Sequence, residues 1–432
     1  MVQLYPSQQE MLDEIKDKTN CAIYAGVGSG KTFIGSEKLL SFQTPFNLVI
    51  CQKSQVDYWV NHFQTNYPGI TVTDLTKVKK MNMSHIRPGV MVINYELAFR
   101  RELLLALKNF SLMLDESSLI QNMQAKRTKF ILKFKPNNVV LLSGTPVSGG
   151  QLDKDKGLIY GKYENLLSQL HLLGWKISKK AFWDRYVIWE LRQYGEVRVQ
   201  EVTGYKNIPE LNEKLKAMGC IFRRTEDMVE LPEYDDQVIK VPRIPEYNKM
   251  QRNGIVEVNG EELIGDTPLS KLMRLRQLCA SYNDNKASVL GDLLDTLENE
   301  RVVVFYNFRD ELEVIKRVVG DRPLSQINGD MTDLEAYENC SNAVVACQYK
   351  SGSRGHNLQK SAYIVYMSVT NSAEYFDQSR GRIRRNGQKS KRVMYYHIVC
   401  DGSVEEKELA SVRAGVDYTV EDYERDYSPY QE

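Results

Sequence analysis

The chain has 432 residues, enough for two or three domains with separate cores, and an ordinary composition of 42% hydrophobic and 26% charged residues. A formal net charge of +1 excludes a protein that coats polyanions by bulk positivity, so any nucleic-acid contact must come from placed residues. The seven cysteines form no Cys-x-x-Cys pair and do not cluster with the five histidines, the pattern of reduced core thiols in a cytosolic protein. The opening MVQLYPSQQE lacks a charged-then-apolar signal, and no apolar run approaches the length that spans a bilayer.

In chain order, residues 8–17 (QQEMLDEIKD) predict an amphipathic helix entered through Tyr5-Pro6-Ser7, with Ser7 as its N-cap. Residues 21–32 (CAIYAGVGSGKT) then read as strand, phosphate loop and helix. Gly26, Gly28 and Gly30 let the backbone turn with N–H groups inward around Ser29, and the helix opening at Lys31 adds its positive end. Lys31 would neutralise β and γ phosphates, and Thr32 places a hydroxyl where a nucleotide-bound Mg²⁺ accepts it. The strict pattern has Gly where this chain has Ala25, and alone the loop also fits a chance glycine turn.

Short apolar runs follow at 47–51 (NLVIC), 90–94 (VMVIN), 112–115 (LMLD) and 139–143 (VVLLS). Their near-continuous apolar character predicts a parallel sheet covered on both faces, hence an α/β nucleotide-binding domain. From about 153 to 224 the sequence turns aromatic and charged, with Trp175, Trp183 and Trp189 close together and a hairpin signal around Tyr194-Gly195. Those aromatics fit either the packing of a small insert or a base-stacking platform. A second hairpin signal, Asn259-Gly260, lies in a proline-bearing stretch between 232 and 286. Strands resume at 302–306, 343–347, 363–367 and 393–399, predicting a second α/β domain that has no phosphate loop of its own.

Asp115 and Glu116 end the LMLD run. Adjacent acids at a strand's carboxyl end can divide labour, Asp115 holding Mg²⁺ and Glu116 deprotonating the attacking water; a solvated Asp-Glu turn is the plainer alternative. Phosphoryl transfer also needs cations at the γ-phosphate, and Arg382 and Arg385 are three apart in QSRGRIRRNGQ (378–388), one turn of a predicted short helix.

In order, the blocks are Tyr5-Pro6-Ser7-Gln8, AGVGSGKT, ICQKS (50–54), INYEL (93–97), LDESS (114–118), SGTP (143–146), FRRT (222–225), VVVFYNF (302–308), QYKSGSRGHNL (348–358) and QSRGRIRRNGQ. The set resembles superfamily 2 helicases, specifically the Swi/Snf-type branch of double-stranded DNA translocases. That resemblance implies two RecA-like domains in tandem: residues 1–240 as the ATP-binding domain with the insert at about 153–224, 241–286 as the connection, and 287–432 as the helicase C-terminal domain. It implies ATP and Mg²⁺ as cofactors, and DNA, double-stranded or branched, as the partner, gripped by its phosphates.

Residue by residue, the resemblance gives Gln8 the adenine edge, Ser143 and Thr145 the coupling of nucleotide site to DNA groove, and Gln378 a nucleotide-sensing role. Lys53, Ser54, Asn94, Tyr95, Asn307 and Ser351 would follow the phosphate track, with Arg382 and Arg385 as arginine fingers that require the two lobes to close. Two positions depart from the pattern: Ser118 stands where many members carry His, and His356 where an aliphatic residue is usual. On this resemblance the short flanks carry the expectation of a motor without chromatin-reading domains, similar to compact bacterial or bacteriophage forms. An unwinding helicase, a slow ATPase switch or scaffold, and an RNA-directed ATPase are the competing expectations.

Overall fold

The computed structural model describes residues 3–26, 28–194, 197–228, 230–352 and 357–427. Val27, Gly195, the Ser353 to His356 part of the QYKSGSRGHNL block and residues 428–432 lie outside that set. The chain forms two compact units, Met1–Val229 and Glu230–Glu432, each carrying a seven-stranded sheet. Both are α/β lobes built on parallel or mostly parallel sheets.

The strands of the first unit are β1 (Asn20–Ala25), β2 (Phe46–Cys51), β3 (Val72–Asp74), β4 (Gly89–Asn94), β5 (Phe110–Asp115), β6 (Asn138–Ser143), β7 (Gln151–Asp153), β8 (Gly157–Tyr160), β9 (Val187–Tyr194), β10 (Val197–Tyr205) and β11 (Cys220–Arg223). The main sheet runs β11-β1-β6-β5-β2-β4-β3, with every pairing parallel. Its strands are apolar almost throughout because both faces are covered. One face packs Cys21, Ile23, Val49 and Met113 under Ile34, Leu39, Trp59 and Phe63 of the helices Lys31–Ser41 and Val56–Asn66. The opposite face packs Tyr24, Ile50, Leu112 and Leu141 against Leu167, Leu170, Leu211 and Leu215, all from the insert.

The insert therefore supplies part of the cover of that face. Trp175 and Trp183 are partly buried against it, which favours packing for these two rings. Trp189 is different: it stands 39% exposed on the two-stranded ribbon of β9 and β10. The insert also ends earlier than its composition suggests, since β11, inside residues 153–224, is an edge strand of the main sheet.

The second unit contains β12 (Glu233–Val241), β13 (Ile255–Val258), β14 (Glu261–Ile264), β15 (Val302–Tyr306), β16 (Leu324–Ile327), β17 (Thr332–Asp333), β18 (Val344–Gln348), β19 (Tyr363–Tyr366) and β20 (Arg392–Cys400). Its sheet runs β12-β20-β19-β15-β18-β16-β17, parallel except for the last pair. The sequence reading carries the first domain to residue 240, whereas β12 pairs along its whole length with β20 in the second sheet. The stretch read as a connection is also built in: Tyr247, Met250, Val256, Leu272 and Leu275 are buried in the second core. Asn259 and Gly260 take φ of 52° and 80°, the left-handed pair that a two-residue hairpin turn requires.

The first helix spans Pro6–Glu14, and its N-cap is Tyr5, not Ser7. Pro6 sits at the first helical position, where its missing N–H costs nothing, and the Ser7 hydroxyl donates instead to the Met228 carbonyl at 3.3 Å.

Candidate phosphate-binding site

In a doubly wound parallel sheet the loops that do chemistry leave the carboxyl ends of the strands. Register brings the sequence blocks together there. Ala25 at the end of β1 lies opposite Arg223, and Tyr24 opposite Ser143, so the phosphate loop leaves between the FRRT segment and the SGTP turn. Asp115 pairs with Leu142 on the far side of β6.

Close approach explains the glycines. A Cβ at Gly26 would lie 2.2 Å from Thr225 Oγ1 and 2.8 Å from the Thr225 amide nitrogen, and the Gly26 N–H donates to the Arg223 carbonyl at 3.0 Å. Gly30, the N-cap of the following helix, has φ of 78°, and a Cβ there would meet Gln8 Nε2 at 2.0 Å. Gln8 is buried: its Oε1 accepts from the Tyr5 N–H at 3.0 Å, and its Nε2 donates to the Ser29 carbonyl at 3.4 Å. Lys31 Nζ donates to the Ala25 and Gly26 carbonyls at 2.6 and 2.9 Å, holding its ammonium at the mouth of the loop. Ser29 is buried, and Thr32 is half-buried in the first helical turn. Gly28 shares the left-handed backbone, with φ of 82°.

The acidic turn is strained and heavily supported. Glu116 has φ of 51°, a left-handed conformation that costs a non-glycine residue about 1–3 kcal/mol and persists only where its surroundings over-determine it. The Tyr95 hydroxyl donates to the Asp115 carbonyl at 2.8 Å, Trp59 Nε1 to Asp115 Oδ2 at 2.8 Å, and the Glu116 N–H to Asp115 Oδ1 at 3.1 Å. Burial, with the Glu116 charge adding to it, raises the Asp115 carboxyl above its ordinary range, while the Trp59 bond and the Lys31 charge oppose the rise. A buried carboxyl beside a second one favours an added cation. The hydroxyl of Thr32 and the carboxylate of Asp115 are hard oxygen donors of the kind Mg²⁺ takes.

The Ser143 hydroxyl donates to Glu116 Oε2 at 3.4 Å and accepts from the Thr145 N–H at 3.1 Å, so the SGTP turn is wired to the second carboxylate. Thr145 Oγ1 is buried with no hydrogen-bond partner among the described residues.

The residues expected along a polymer track divide. Lys53 and Ser54 are exposed on the short turn after β2. Asn94 is buried, its amide donating to Glu96 at 2.8 Å. Tyr95 requires correction: its ring is fully buried, so the side chain cannot lie against a polymer, and its hydroxyl supports the acidic turn. Asn307 is half-buried and spends both amide hydrogens internally, on Ser368 Oγ and the Val369 carbonyl, each at 2.9 Å. Ser351 is half-buried on the short helix Tyr349–Gly352.

The arginine segment also differs from expectation. The helix Ala373–Arg380 ends before Arg382, so Arg382 and Arg385 stand in the irregular turn that follows, not on a shared helical face. Arg382 is 6% exposed with Nε donating to the Gln378 carbonyl at 3.0 Å; Arg385 is half-buried. Gln378 is buried and donates to Glu374 at 3.0 Å.

Arg380, which the sequence reading passes over, anchors that turn. It lies 4.1 Å over the Tyr395 ring and 4.9 Å over Tyr234, and pairs with Asp236 at 2.5 Å. Asp236 also faces His397 at 2.7 Å and Arg413 at 2.8 Å. Burial alone would raise the Asp236 carboxyl, yet the adjacent His397 and the arginine charges hold it well below the usual range. Only the tertiary pairing of β12 with β20 makes this cluster visible.

The SNF2-related domain family matches residues 10–283, more than half of the chain. The chain belongs to that family. This SNF2-related chain is 22% identical over 392 residues to an uncharacterized ATP-dependent helicase of Mycoplasma genitalium, covering 84% of this chain and 36% of the relative. It is 24% identical over 439 residues to the ISWI chromatin-remodeling complex ATPase of Saccharomyces cerevisiae, covering 88% and 37%. The SNF2-related chain thus spans little more than a third of the length of these curated relatives. Among solved structures, the Sulfolobus solfataricus SWI2/SNF2 ATPase core in complex with dsDNA is similar at 16% identity and a TM-score of 0.44, covering 95% of this chain and 91% of that one.

Proposed function

We propose that the chain is a DNA-stimulated ATPase that converts ATP hydrolysis into movement along double-stranded or branched DNA. The observation that carries the reading is the Ser143 bond to Glu116. It joins an acidic turn suited to activating water to the SGTP turn beside the phosphate loop, a connection that a passive nucleotide site does not need.

In this reading the loop from Gly26 to Gly30 and the helix N-terminus hold the phosphates of ATP, Lys31 leaves the loop carbonyls for them, and Gln8 meets the adenine edge. Thr32 and Asp115 would hold Mg²⁺, which when bound neutralises phosphate charge. Glu116, with Oε2 already accepting from Ser143, takes the proton of the attacking water. Arg385 and Arg382 supply the cations that stabilise the transition state. Lys53, Ser54 and Ser351 remain the proposed phosphate contacts, with Asn94 and Asn307 shaping the loops that carry them. Backbone gripping of this kind gives little sequence specificity and strong salt dependence.

The test is ATP turnover measured in parallel with no polymer, single-stranded DNA, double-stranded DNA and RNA. Stimulation by double-stranded DNA is expected. Failure of every polymer to stimulate would refute the motor, and stimulation by RNA alone would refute the DNA assignment. Displacement of a triplex third strand without duplex unwinding would then identify translocation.

A further inference from the structure

The helix Leu167–Leu172 lies in the insert and carries none of the sequence blocks, yet its Gln169 is fully buried and touches two of them and the strand that feeds a third. Its Oε1 accepts from the Tyr24 hydroxyl at 3.0 Å, on the strand that feeds the phosphate loop. The same oxygen accepts from the Ser117 hydroxyl at 2.8 Å, directly after Glu116. Its Nε2 donates to the Pro146 carbonyl in the SGTP turn at 2.7 Å. Both acceptor positions and one N–H of the amide are used, at a depth where an unmade bond is costly. The adjacent side chain does nothing comparable: Ser118 Oγ is buried with no hydrogen-bond partner among the described residues. Two of the three segments that Gln169 ties together are those already joined through Ser143 at the Glu116 carboxylate.

We infer that Gln169 is a positioning residue that holds the acidic turn in register with the SGTP turn, so that a shift of the SGTP turn is passed to the Glu116 carboxylate. A single planar amide is suited to this. Its acceptor and donor are fixed back to back, so they set the separation of Ser117 Oγ from the Pro146 carbonyl within hydrogen-bond geometry, which an apolar side chain would leave loose. The insert is then part of the hydrolytic machinery as well as part of the cover of the first core. The inference rests on the ATPase reading proposed above.

Two substitutions separate positioning from mere structure. Ser117→Ala and Tyr24→Phe each remove one hydroxyl that donates to the same Gln169 oxygen, but only Ser117 lies on the link to Glu116. Turnover stimulated by double-stranded DNA, KM for ATP and thermal melting are measured on the full chain. Ser117→Ala should lower kcat about tenfold with KM for ATP changed by less than about twofold, and Tyr24→Phe should leave both within about twofold. Gln169→Leu should lower kcat at least as far as Ser117→Ala. Equal losses in Ser117→Ala and Tyr24→Phe that track melting would make Gln169 structural only and overturn the inference, as would an unchanged kcat in Ser117→Ala or Gln169→Leu. Absence of turnover in the unsubstituted chain would instead refute the proposed function, and it is seen before any variant is compared.

Discussion

Gly26→Ala tests how closely the phosphate loop is packed. The new methyl would stand 2.2 Å from Thr225 Oγ1 and 2.8 Å from the Thr225 amide nitrogen. A threonine rotamer change relieves the first contact; the second is backbone, at the end of a strand whose carbonyl at Arg223 holds the Gly26 N–H. The loop must therefore move away from Thr225, and binding phosphate must bring it back. Overpacking of this kind costs about 1–3 kcal/mol, which appears in ATP affinity as a loss of about 5- to 150-fold. Titration with a fluorescent ATP analogue measures it, with melting temperature as the control for general damage. Adding Thr225→Gly removes the side-chain contact but leaves the backbone one, so it should restore only part of the loss. ATP affinity unchanged in Gly26→Ala, or fully restored by Thr225→Gly, would refute the packing argument.

Glu116→Gln should abolish turnover while ATP still binds, because the amide keeps an acceptor for Ser143 but cannot take the water's proton; measurable steady-state turnover would exclude Glu116 as the base. Arg385→Ala should reduce turnover by roughly 10³ with ATP affinity nearly unchanged, and a loss below about tenfold would remove it from the role of finger. Burial pushes the Glu311 carboxyl from 4.5 up to about 7, so between those values the folded chain holds a proton that the unfolded chain has released. Stability should fall as pH rises through that window and level off above it, and Glu311→Gln, which still accepts from the Asn307 and Phe308 N–H groups, should melt less pH-dependently; an unaltered pH profile would contradict this.

The central strands were legible because burial on both faces writes itself as continuous apolar runs, and 302–306 is reproduced to the residue in β15. Edge strands were not. β12 (EYDDQVIKV) is largely exposed and polar, so its pairing with β20 leaves almost no periodic trace. The same limit moved the domain boundary, since a linker and an exposed edge strand share a composition. At the site, residues that would touch ligand announce themselves through glycine spacing and paired charge. Their supports do not: Trp59 looks like an ordinary core aromatic, and Tyr95 like a polymer contact, until their polar atoms are found on Asp115. The arginines misled for a related reason. Three-residue spacing suits a helix, but the Arg380 side chain, held between Tyr395, Tyr234 and Asp236, belongs to the last helical residue, and the chain turns immediately after it.

These supports bear on how an ATPase of this fold could transmit force. A left-handed Glu116 is intrinsically unfavourable, so its position is a balance between local strain and the bonds that enforce it. Those bonds come from separate pieces of chain: Tyr95 after β4, Trp59 from the helix after β2, Ser143 at the end of β6 and, through Ser117, Gln169 in the insert. A turn held by several elements responds to a small displacement of any one of them. A self-contained turn would respond to none. On the proposed function, strain at the acidic residue, distributed over elements that also carry the SGTP turn and the exposed Lys53–Ser54 turn, would give a physical basis for linking the proposed polymer contact to the geometry of the Glu116 carboxylate.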